Sequence, residues 1–184
     1  MAVKATIHKA QLQISDMDRN HYDEYFLTLA QHPSETQERL MARLLAFALN
    51  AGASLAFGKG LSTDDEPDLW EKDLTGSIDL WIEVGQPDEQ RVRKACGRAR
   101  QVLVYTFSGR GAAIWWDKNA AAFERLRNLS VFDIPSATSQ ALAAIADRNM
   151  KLQCLIQDGQ AQIMDERATV AVDLTVLKLA AIRN

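Results

Sequence analysis

The sequence Gly76-Ser77-Ile78-Asp79-Leu80-Trp81-Ile82-Glu83-Val84-Gly85 alternates between two kinds of side chain. Aliphatic residues stand at every even position from 78 to 84, and acids stand at Asp79 and Glu83. Because successive side chains of a β-strand point to opposite faces, the pattern predicts a strand with an aliphatic face towards a core and a carboxylate face opposite. An ionised acid is not buried alone, so we expect these carboxylates to meet a metal ion, a basic side chain or water.

Length and composition set the class of protein around this strand. The chain has 184 residues, of which 47% are hydrophobic and 24% charged. These values predict one well-cored globular domain over residues 1–184. The first residues carry charge early, and no apolar run approaches the length of a membrane span, so we expect neither a signal peptide nor a membrane partner. With only Cys96 and Cys154, a disulfide framework or a zinc site is not expected, and a cytoplasmic location fits.

Charge is distributed unevenly although the net charge is only −3. Residues 64–73 hold six acids against Lys72 alone, whereas residues 91–110 hold six basic residues and no acid. The simplest interpretation is two solvated surface patches, since charged side chains are mostly exposed. The net charge itself does not indicate a nucleic-acid-binding protein.

Elements downstream and upstream of the central strand alternate in type. Downstream, Pro87 and two acids mark a helix start, and the continuous apolar run 102–107 is typical of a buried parallel strand. A helix at about 112–126, a strand at 129–134 and a short helix at 136–146 follow. Upstream, Ser34 as N-cap with Gln37 three residues later predicts a helix that runs to about Asn50. A short strand at 54–57 and a long acidic loop over 58–76 connect this helix to the central strand.

Both ends of the chain read as antiparallel β-structure. Residues 3–14 and 22–30 predict a hairpin, and residues 151–157, 160–164 and 169–174 predict a meander. The fold class is therefore α/β: a mixed, partly parallel sheet flanked by helices, with its core at about 34–134. We expect the hairpin and the meander to form an additional antiparallel β region, which could be a second sheet.

Three groups of charged residues are candidates for chemistry, and each also has a structural interpretation. Glu38 lies one turn into the first helix, where an acid is stabilised by the helix dipole or reaches towards the strand acids. Asp79 and Glu83 are either solvated, paired with basic side chains or placed in a site. Lys94 belongs to a helical stripe that is either solvated or leans over the strand end to meet Glu83.

Several longer strings resemble the YaeQ family of small bacterial proteins, and the resemblance covers nearly the whole chain. The strings include residues 1–7, 32–39, 64–67, 78–85, 114–116, 128–131 and 156–159. Membership implies a variant of the PD-(D/E)XK nuclease-like superfamily, with a restriction-endonuclease-like fold. It implies the fold more firmly than an activity.

The superfamily resemblance also implies site residues. Glu38 matches the acid on the first core helix, while Asp79 and Glu83 match the two strand acids that would hold Mg²⁺ or Mn²⁺. The lysine expected two positions after Glu83 is replaced by Gly85, which leaves Lys94 as its substitute. Asp79 and Glu83 are also roughly 13 Å apart along a strand, so Asp65 or Asp68 could supply the second acid instead.

The activity that follows from this resemblance is metal-dependent phosphodiester hydrolysis of DNA or RNA. The alternative is a non-catalytic module that retains the nuclease-like fold and binds a nucleic acid or a protein. Metal binding discriminates between them, because catalysis requires it and partner binding does not.

Overall fold

The computed structural model describes residues 4–59 and 65–181. The acids of the predicted loop include Asp64, which lies outside the described residues. The chain divides into two compact units: Met1–Leu49 with Ala137–Asp173, and Asn50–Ser136 with Leu174–Asn184. Each unit contains one sheet. The predicted single nuclease-like domain over residues 1–184 stays a prediction.

The first unit is built on a five-stranded sheet. Its strands are β1 (Thr6–Asp16), β2 (His21–Gln31), β8 (Asn149–Gln157), β9 (Gln160–Met164) and β10 (Thr169–Val172), in the order β10-β9-β8-β1-β2. The predicted hairpin is confirmed, because β1 and β2 pair antiparallel from Thr6↔Gln31 to Asp16↔His21. The predicted meander is confirmed in β8, β9 and β10. The two parts form one sheet, but they join through β1 and β8, which run parallel, so the expectation of a purely antiparallel region is wrong.

One face of this sheet is buried and the other is exposed. Leu12, Ile14, Leu152 and Ile163 on the inner face are all less than 3% exposed, while their sequence neighbours point outwards. This clean alternation is the usual pattern of a sheet with one solvated face. The unit also contains α4 (Ser136–Ala144), apart from its first residue, and α1 (Gln37–Asn50), apart from its last residue. Nine consecutive residues of α1, from Leu40 to Ala48, are buried.

The predicted cap of α1 is wrong. Thr36 Oγ1 accepts a hydrogen bond from the Arg39 backbone N–H at 3.1 Å, which is the N-cap interaction. Ser34, the predicted cap, instead contacts His32 Nδ1 at 2.6 Å. The helix therefore begins two residues later than the capping-box pattern indicates, because a threonine immediately before the first turn competes with Ser34 for the role.

The second unit is built on a six-stranded sheet. Its order is β11-β7-β6-β5-β4-β3, with β3 (Leu55–Phe57), β4 (Leu69–Lys72), β5 (Ile78–Val84), β6 (Ala99–Thr106), β7 (Leu129–Asp133) and β11 (Thr175–Lys178). The central strands β5, β6 and β7 are parallel, as the apolar run at 102–107 predicts. They are connected by α2 (Glu89–Arg98) and α3 (Arg110–Phe123). The α/β class with helix-flanked mixed sheets is confirmed.

Two strands of this sheet are absent from the sequence prediction. β4 lies inside the predicted loop 58–76, and it pairs with β5 in the antiparallel register Leu69↔Ile82. β11 pairs antiparallel with β7. Both strands have four residues, which is too short for an alternating pattern to stand out from acidic or mixed surroundings.

The carboxylate face of β5 is not the open face that the alternation indicates. Trp81 shares the parity of Asp79 and Glu83, yet it is 2% exposed and belongs to a core with Val92 and Val104. On the opposite face Ile82 is fully buried, while Leu80 is only half-buried. Burial on β5 therefore increases along the strand towards its carboxyl end, on both faces.

Candidate functional site at the carboxyl end of β5

Two acids meet where β4 begins and β5 ends. The register Leu69↔Ile82 places Asp68 opposite Glu83, on the face that also carries Trp70 and Trp81. Asp68 is 9% exposed and Glu83 is 4% exposed. Asp68 Oδ2 accepts a hydrogen bond from the Val84 backbone N–H at 2.8 Å, which fixes it beside the end of β5. The strand pairing thus brings two buried carboxylates together at the edge where ligands bind in α/β sheets.

Glu83 is held by one aromatic and one basic donor. Its Oε1 accepts from Trp81 Nε1 and from Arg91 Nε, both at 2.8 Å. Arg91 also donates from Nη2 to the Glu66 backbone carbonyl at 2.8 Å, so it joins the β3–β4 connection to the strand end. Glu83 Oε2 makes no hydrogen bond with any residue that the structure describes.

The position of Arg91 follows from the start of α2. Asp88 is the N-cap of this helix, and its side chain accepts from the Arg91 backbone N–H at 2.8 Å. This cap fixes the first turn, and with it the side chain of Arg91, next to Glu83. Charge-assisted hydrogen bonds of this kind are stronger than neutral ones, so the cluster is ordered from both sides.

Burial changes the protonation of this site. The pKa of Glu83 is raised from 4.5 to about 7, mainly by desolvation and in addition by the nearby Asp68 carboxylate. The hydrogen bonds from Trp81 and Arg91 oppose this shift without cancelling it. Burial therefore makes the ionised form of Glu83 costly, and a positive charge beside it, such as that of Arg91, stabilises that form.

Asp79 lies at the other end of the same strand. Its side chain is 35% exposed, and its Oδ1 lies 3.1 Å from Arg100 Nη1. Arg100 Nη2 is also 3.8 Å from Asp73 Oδ2. Four strand residues separate Asp79 from Glu83, which is roughly 13 Å. The structure therefore places these two predicted metal ligands in separate ion pairs.

Lys94 does not contact Glu83, so the expectation that it leans over the strand end to meet this acid is wrong. Its Nζ lies 3.1 Å from Asp65 Oδ1, and both side chains are more than half exposed. Arg98, one turn further along α2, donates to the Asp65 backbone carbonyl at 3.1 Å, and its guanidinium lies 5.1 Å from the Trp81 ring centre. Arg91 takes the position at Glu83 because it lies in the first turn of α2, three residues before Lys94.

Glu38 belongs to the first unit. It is half-buried on α1, and its Oε2 accepts a hydrogen bond from Ser139 Oγ of α4 at 2.8 Å. The other three predicted site residues belong to the second unit. A role for Glu38 in chemistry stays a prediction.

Sequence reasoning named Asp68 only as an alternative, and it allowed pairing with basic residues of the next helix without choosing Arg91 among them. A signal for Asp68 exists in the order of side chains. Asp68-Leu69-Trp70 reads as acid, aliphatic, tryptophan, and Trp81-Ile82-Glu83 has the same three types in reverse. Reversed order is what two antiparallel strands show when equivalent residues share a face.

The two carboxylates match a hard divalent cation in ligand type. Mg²⁺ is commonly held by one or two carboxylates and completes its coordination with water and phosphate oxygens. Asp68 and Glu83 supply two such carboxylates, and the pKa of Glu83 is raised mainly because burial disfavours its charged form. Among residues 4–59 and 65–181, no group of three His, Cys, Asp or Glu side chains is arranged to hold a metal ion.

Comparison with known proteins adds the family. The family model described as "YaeQ protein" matches residues 1–174. The chain belongs to the YaeQ family. The YaeQ proteins of Escherichia coli (strain K12) and Salmonella typhi, both described as uncharacterized, are 46% and 45% identical to it over 175 residues. Each alignment covers 95% of this chain and 97% of the relative.

Two crystal structures of YaeQ proteins share the fold. The protein from Xanthomonas axonopodis pv. citri is 52% identical and superposes with a TM-score of 0.92 over 97% of this chain and all of the other. The protein from Pseudomonas syringae is 36% identical, with a TM-score of 0.90 over 95% of this chain and 96% of the other. These YaeQ relatives confirm the predicted family. No helix among the described residues of this YaeQ-family chain is long and apolar enough to cross a membrane.

Proposed function

We propose that the chain is a divalent-metal-dependent phosphodiesterase that acts on a nucleic acid, with Asp68 and Glu83 as the metal-holding carboxylates. The observation that carries this proposal is the register between β4 and β5. It brings two buried acids opposite each other at the carboxyl end of the parallel strand β5 in a mixed sheet, and the pKa of Glu83 is raised to about 7 there. Perturbed carboxylates in such a position are typical of functional sites.

The second carboxylate is assigned to Asp68 rather than Asp79. Asp79 lies roughly 13 Å along the strand from Glu83, and it is paired with Arg100. A metal–oxygen bond of about 2.1 Å requires both acids at one point. Mg²⁺ or Mn²⁺, when bound, would activate water and neutralise charge on the phosphate.

Basic residues of α2 provide the expected phosphate contacts. Lys94 and Arg98 lie on the exposed side of the same helix that presents Arg91 to Glu83, and both interact with Asp65. Their charges would attract a phosphate backbone and stabilise charge that develops in the transition state. Since Lys94 is 57% exposed, it can exchange Asp65 for a phosphate with little rearrangement.

The test is cleavage of labelled single-stranded and double-stranded DNA and of RNA, with Mg²⁺, with Mn²⁺ and with EDTA. We expect at least one substrate to be cut only with metal, and we expect Glu83→Gln and Asp68→Asn to abolish cutting. Asp79→Asn is the matched control, because it removes an acid from the same strand outside the cluster, and its activity should remain near that of the wild type. Equal loss in all three variants would contradict the assignment.

A second function is favoured by a specific observation. Arg91 already provides a positive charge to Glu83 Oε1, so this carboxylate has a partner without a metal ion. In that case the chain is a non-catalytic module that binds a nucleic acid or a protein and retains the fold. Salt-sensitive binding without cutting, unchanged by metal and by Glu83→Gln, would select this function.

A further inference from the structure

One edge of the five-stranded sheet is formed by β2, which pairs only with β1 among the described strands. β2 has 11 residues, and its ladder with β1 continues from Thr6↔Gln31 to Asp16↔His21 without a register shift. A long, regular edge strand presents a row of unpaired backbone groups, and proteins usually shorten, bulge or cover such an edge. The edge of β2 is therefore a candidate surface for pairing with another strand.

The hydrogen bonds of β1 show which residues of β2 point to this edge. The Lys9 N–H donates to the Arg148 carbonyl at 2.8 Å, and the Met17 N–H donates to the Ile156 carbonyl at 2.9 Å, so the odd-numbered residues of β1 bond on the β8 side. Its even-numbered residues therefore bond to β2, where the register pairs them with odd-numbered residues. The even-numbered residues of β2 thus direct their backbone N–H and C=O groups to the free edge.

Two of these edge-facing groups are already engaged by side chains of the chain itself. The Glu24 N–H donates to Asp23 Oδ1 at 2.8 Å, and the Ala30 carbonyl accepts from Arg43 Nη2 at 3.0 Å. Between them, the edge-facing backbone groups within residues 26–28 form no hydrogen bond with any residue that the structure describes. Both ends of the edge are thus closed, and its middle is open.

Large hydrophobic side chains stand exposed beside this open edge. Phe26 is 76% exposed and Tyr22 is 57% exposed on β2, and Ile7, on the same face of β1, is 49% exposed. Tyr25, on the inner face of β2, shows the contrast, since its ring packs edge-on against Phe47 at 5.1 Å. Burying the exposed side chains against another apolar surface would be favourable.

We propose that two copies of the chain pair through β2, antiparallel and two-fold symmetric, with Phe26 opposite Phe26 of the second copy. In this register the Phe26 N–H donates to the Phe26 carbonyl of the other copy, and the Thr28 N–H donates to its Glu24 carbonyl, each twice by symmetry. Neither bond displaces the contacts of Asp23 or Arg43. The two five-stranded sheets become one continuous sheet.

The charges on this face favour that register. Lys9 lies directly beside Thr28 on β1, and Thr28 comes to lie opposite Glu24 of the second copy. Lys9 and Glu24 belong to no ion pair among the described residues, since Glu24 Oε1 accepts from the neutral amide of Gln11. The small threonine between them lets the two long side chains meet. A two-fold axis at Glu24 would instead oppose two acids, and one at Thr28 would bring two Lys9 side chains into one row.

The apolar side chains favour the same register. Ile7 lies directly beside Ala30, and Ala30 comes to lie opposite Tyr22 of the second copy. The alanine is small, so Ile7 and Tyr22 can cover it from both sides, while the two Phe26 rings meet at the axis. The three exposed hydrophobic side chains of this face therefore all gain apolar neighbours. The surface lies wholly in the first unit and uses no residue of the Asp68–Glu83 cluster, so it stands whether or not the chain is a nuclease.

The first experiment is analytical ultracentrifugation in EDTA, up to about 1 mM protein, because a single strand pair is a small interface of the weak class. We expect a reversible dimer whose dissociation constant rises at least about ten-fold in Phe26→Lys, since this places like charges directly opposite each other. Ile114→Lys is the matched control, because Ile114 is also an exposed apolar residue, at 59%, on α3. Phe26→Lys should melt like the wild-type monomer, since the side chain is mostly exposed.

A charge exchange tests the register. Lys9→Glu and Glu24→Lys should each weaken the dimer about three-fold or more, because each replaces two symmetric opposite-charge contacts by like-charge ones. The double variant Lys9→Glu, Glu24→Lys should restore the affinity. Within one chain the two residues lie roughly 13 Å apart along the strands, so only contact between copies explains a rescue.

Cross-linking tests the position of the two-fold axis. Phe26→Cys, in a Cys96→Ser background that removes the half-buried native thiol, should form a disulfide-linked dimer under mild oxidation. Directly opposite, hydrogen-bonded residues have Cα atoms about 5.5 Å apart, which is within the range for a disulfide. Tyr22→Cys in the same background is the control, because the two Tyr22 positions would be roughly 26 Å apart at about 3.3 Å per residue.

Three results would overturn the proposal. They are a monomer at every concentration, a dimer that Phe26→Lys leaves unchanged, and a charge exchange in which the double variant is weaker than both single variants. Cross-linking of Tyr22→Cys as efficient as that of Phe26→Cys would contradict the register. A monomer would leave the edge of β2 to a strand of a different protein.

Discussion

Asp79 and Glu83 are acids of the same strand and the same face, four residues apart, yet they have different surroundings. Asp79 is one-third exposed and lies against Arg100, which is itself 73% exposed. Glu83 is 4% exposed, opposite a second carboxylate, and its pKa is raised to about 7. The alternation of a strand thus predicts the face on which a side chain lies but not how deeply it is buried. The burial determines how far the pKa of a carboxylate is shifted.

The largest expected difference between the two ends of β5 concerns packing. Ile82, which is fully buried, should lose roughly 2–5 kcal/mol of unfolding free energy on substitution by alanine. Leu80, which is half-buried at the end near Asp79, should lose clearly less in Leu80→Ala. Urea denaturation of both variants measures this directly. Equal losses would show that burial does not increase along the strand.

The next difference concerns pH in the absence of metal. The pKa of Glu83 is raised in the folded state, so the folded chain binds more protons than the unfolded chain between about pH 4.5 and 7. The contribution of Glu83 to stability therefore falls as pH rises through this window. A shift from 4.5 to about 7 corresponds to about 3 kcal/mol as an upper figure.

Glu83→Gln should accordingly be more stable than the wild type at pH 8, and the two should converge near pH 4.5. Asp79→Asn is the matched control, and its stability difference from the wild type should change little over the same range because Asp79 is partly solvated. Denaturation curves in EDTA at several pH values test this. The measured quantity is the stability of Glu83→Gln minus that of the wild type at each pH. A smaller difference at pH 8 than at pH 4.5 would contradict the electrostatic account.

A smaller difference concerns the two arginines. Removing the Arg91 side chain should destabilise the fold by about 1.5–3 kcal/mol, the range for a hydrogen bond to a charged group, because Glu83 is buried. Arg100→Ala should cost less than about 1 kcal/mol, because Arg100 is mostly exposed and its ion pairs are screened by solvent. The urea midpoints of the two variants, at neutral pH, provide the measurement. Similar midpoints would show that the buried Arg91–Glu83 ion pair contributes no more to stability than the exposed Arg100–Asp79 pair.

Periodicity predicted the larger elements well. The hairpin, the meander and the alternation of strands with helices in the second unit follow from alternation and apolar runs that extend over many residues. The strand β4 was not predictable in this way. Its four residues follow an acidic segment that contains Pro67, and local composition there indicates a loop, while the pairing that forms the strand comes from β5.

The candidate site was predictable only in part for a related reason. Glu83 was identified from its own strand, but its partners come from a different strand and a different helix. Arg91, Lys94 and Arg98 share one stripe of α2, and the sequence does not say which of them meets Glu83. That choice depends on the Asp88 cap, which sets where the first turn begins relative to the strand end.

Metal binding to the Asp68–Glu83 pair tests the central claim most directly. Titration calorimetry with Mn²⁺, without nucleic acid, should show one site in the wild type that Glu83→Gln and Asp68→Asn each remove. Asp79→Asn should retain that site, because it changes an acid of the same strand outside the cluster. Binding that survives both cluster variants, or that is lost in Asp79→Asn, would contradict a metal centre at the carboxyl end of β5.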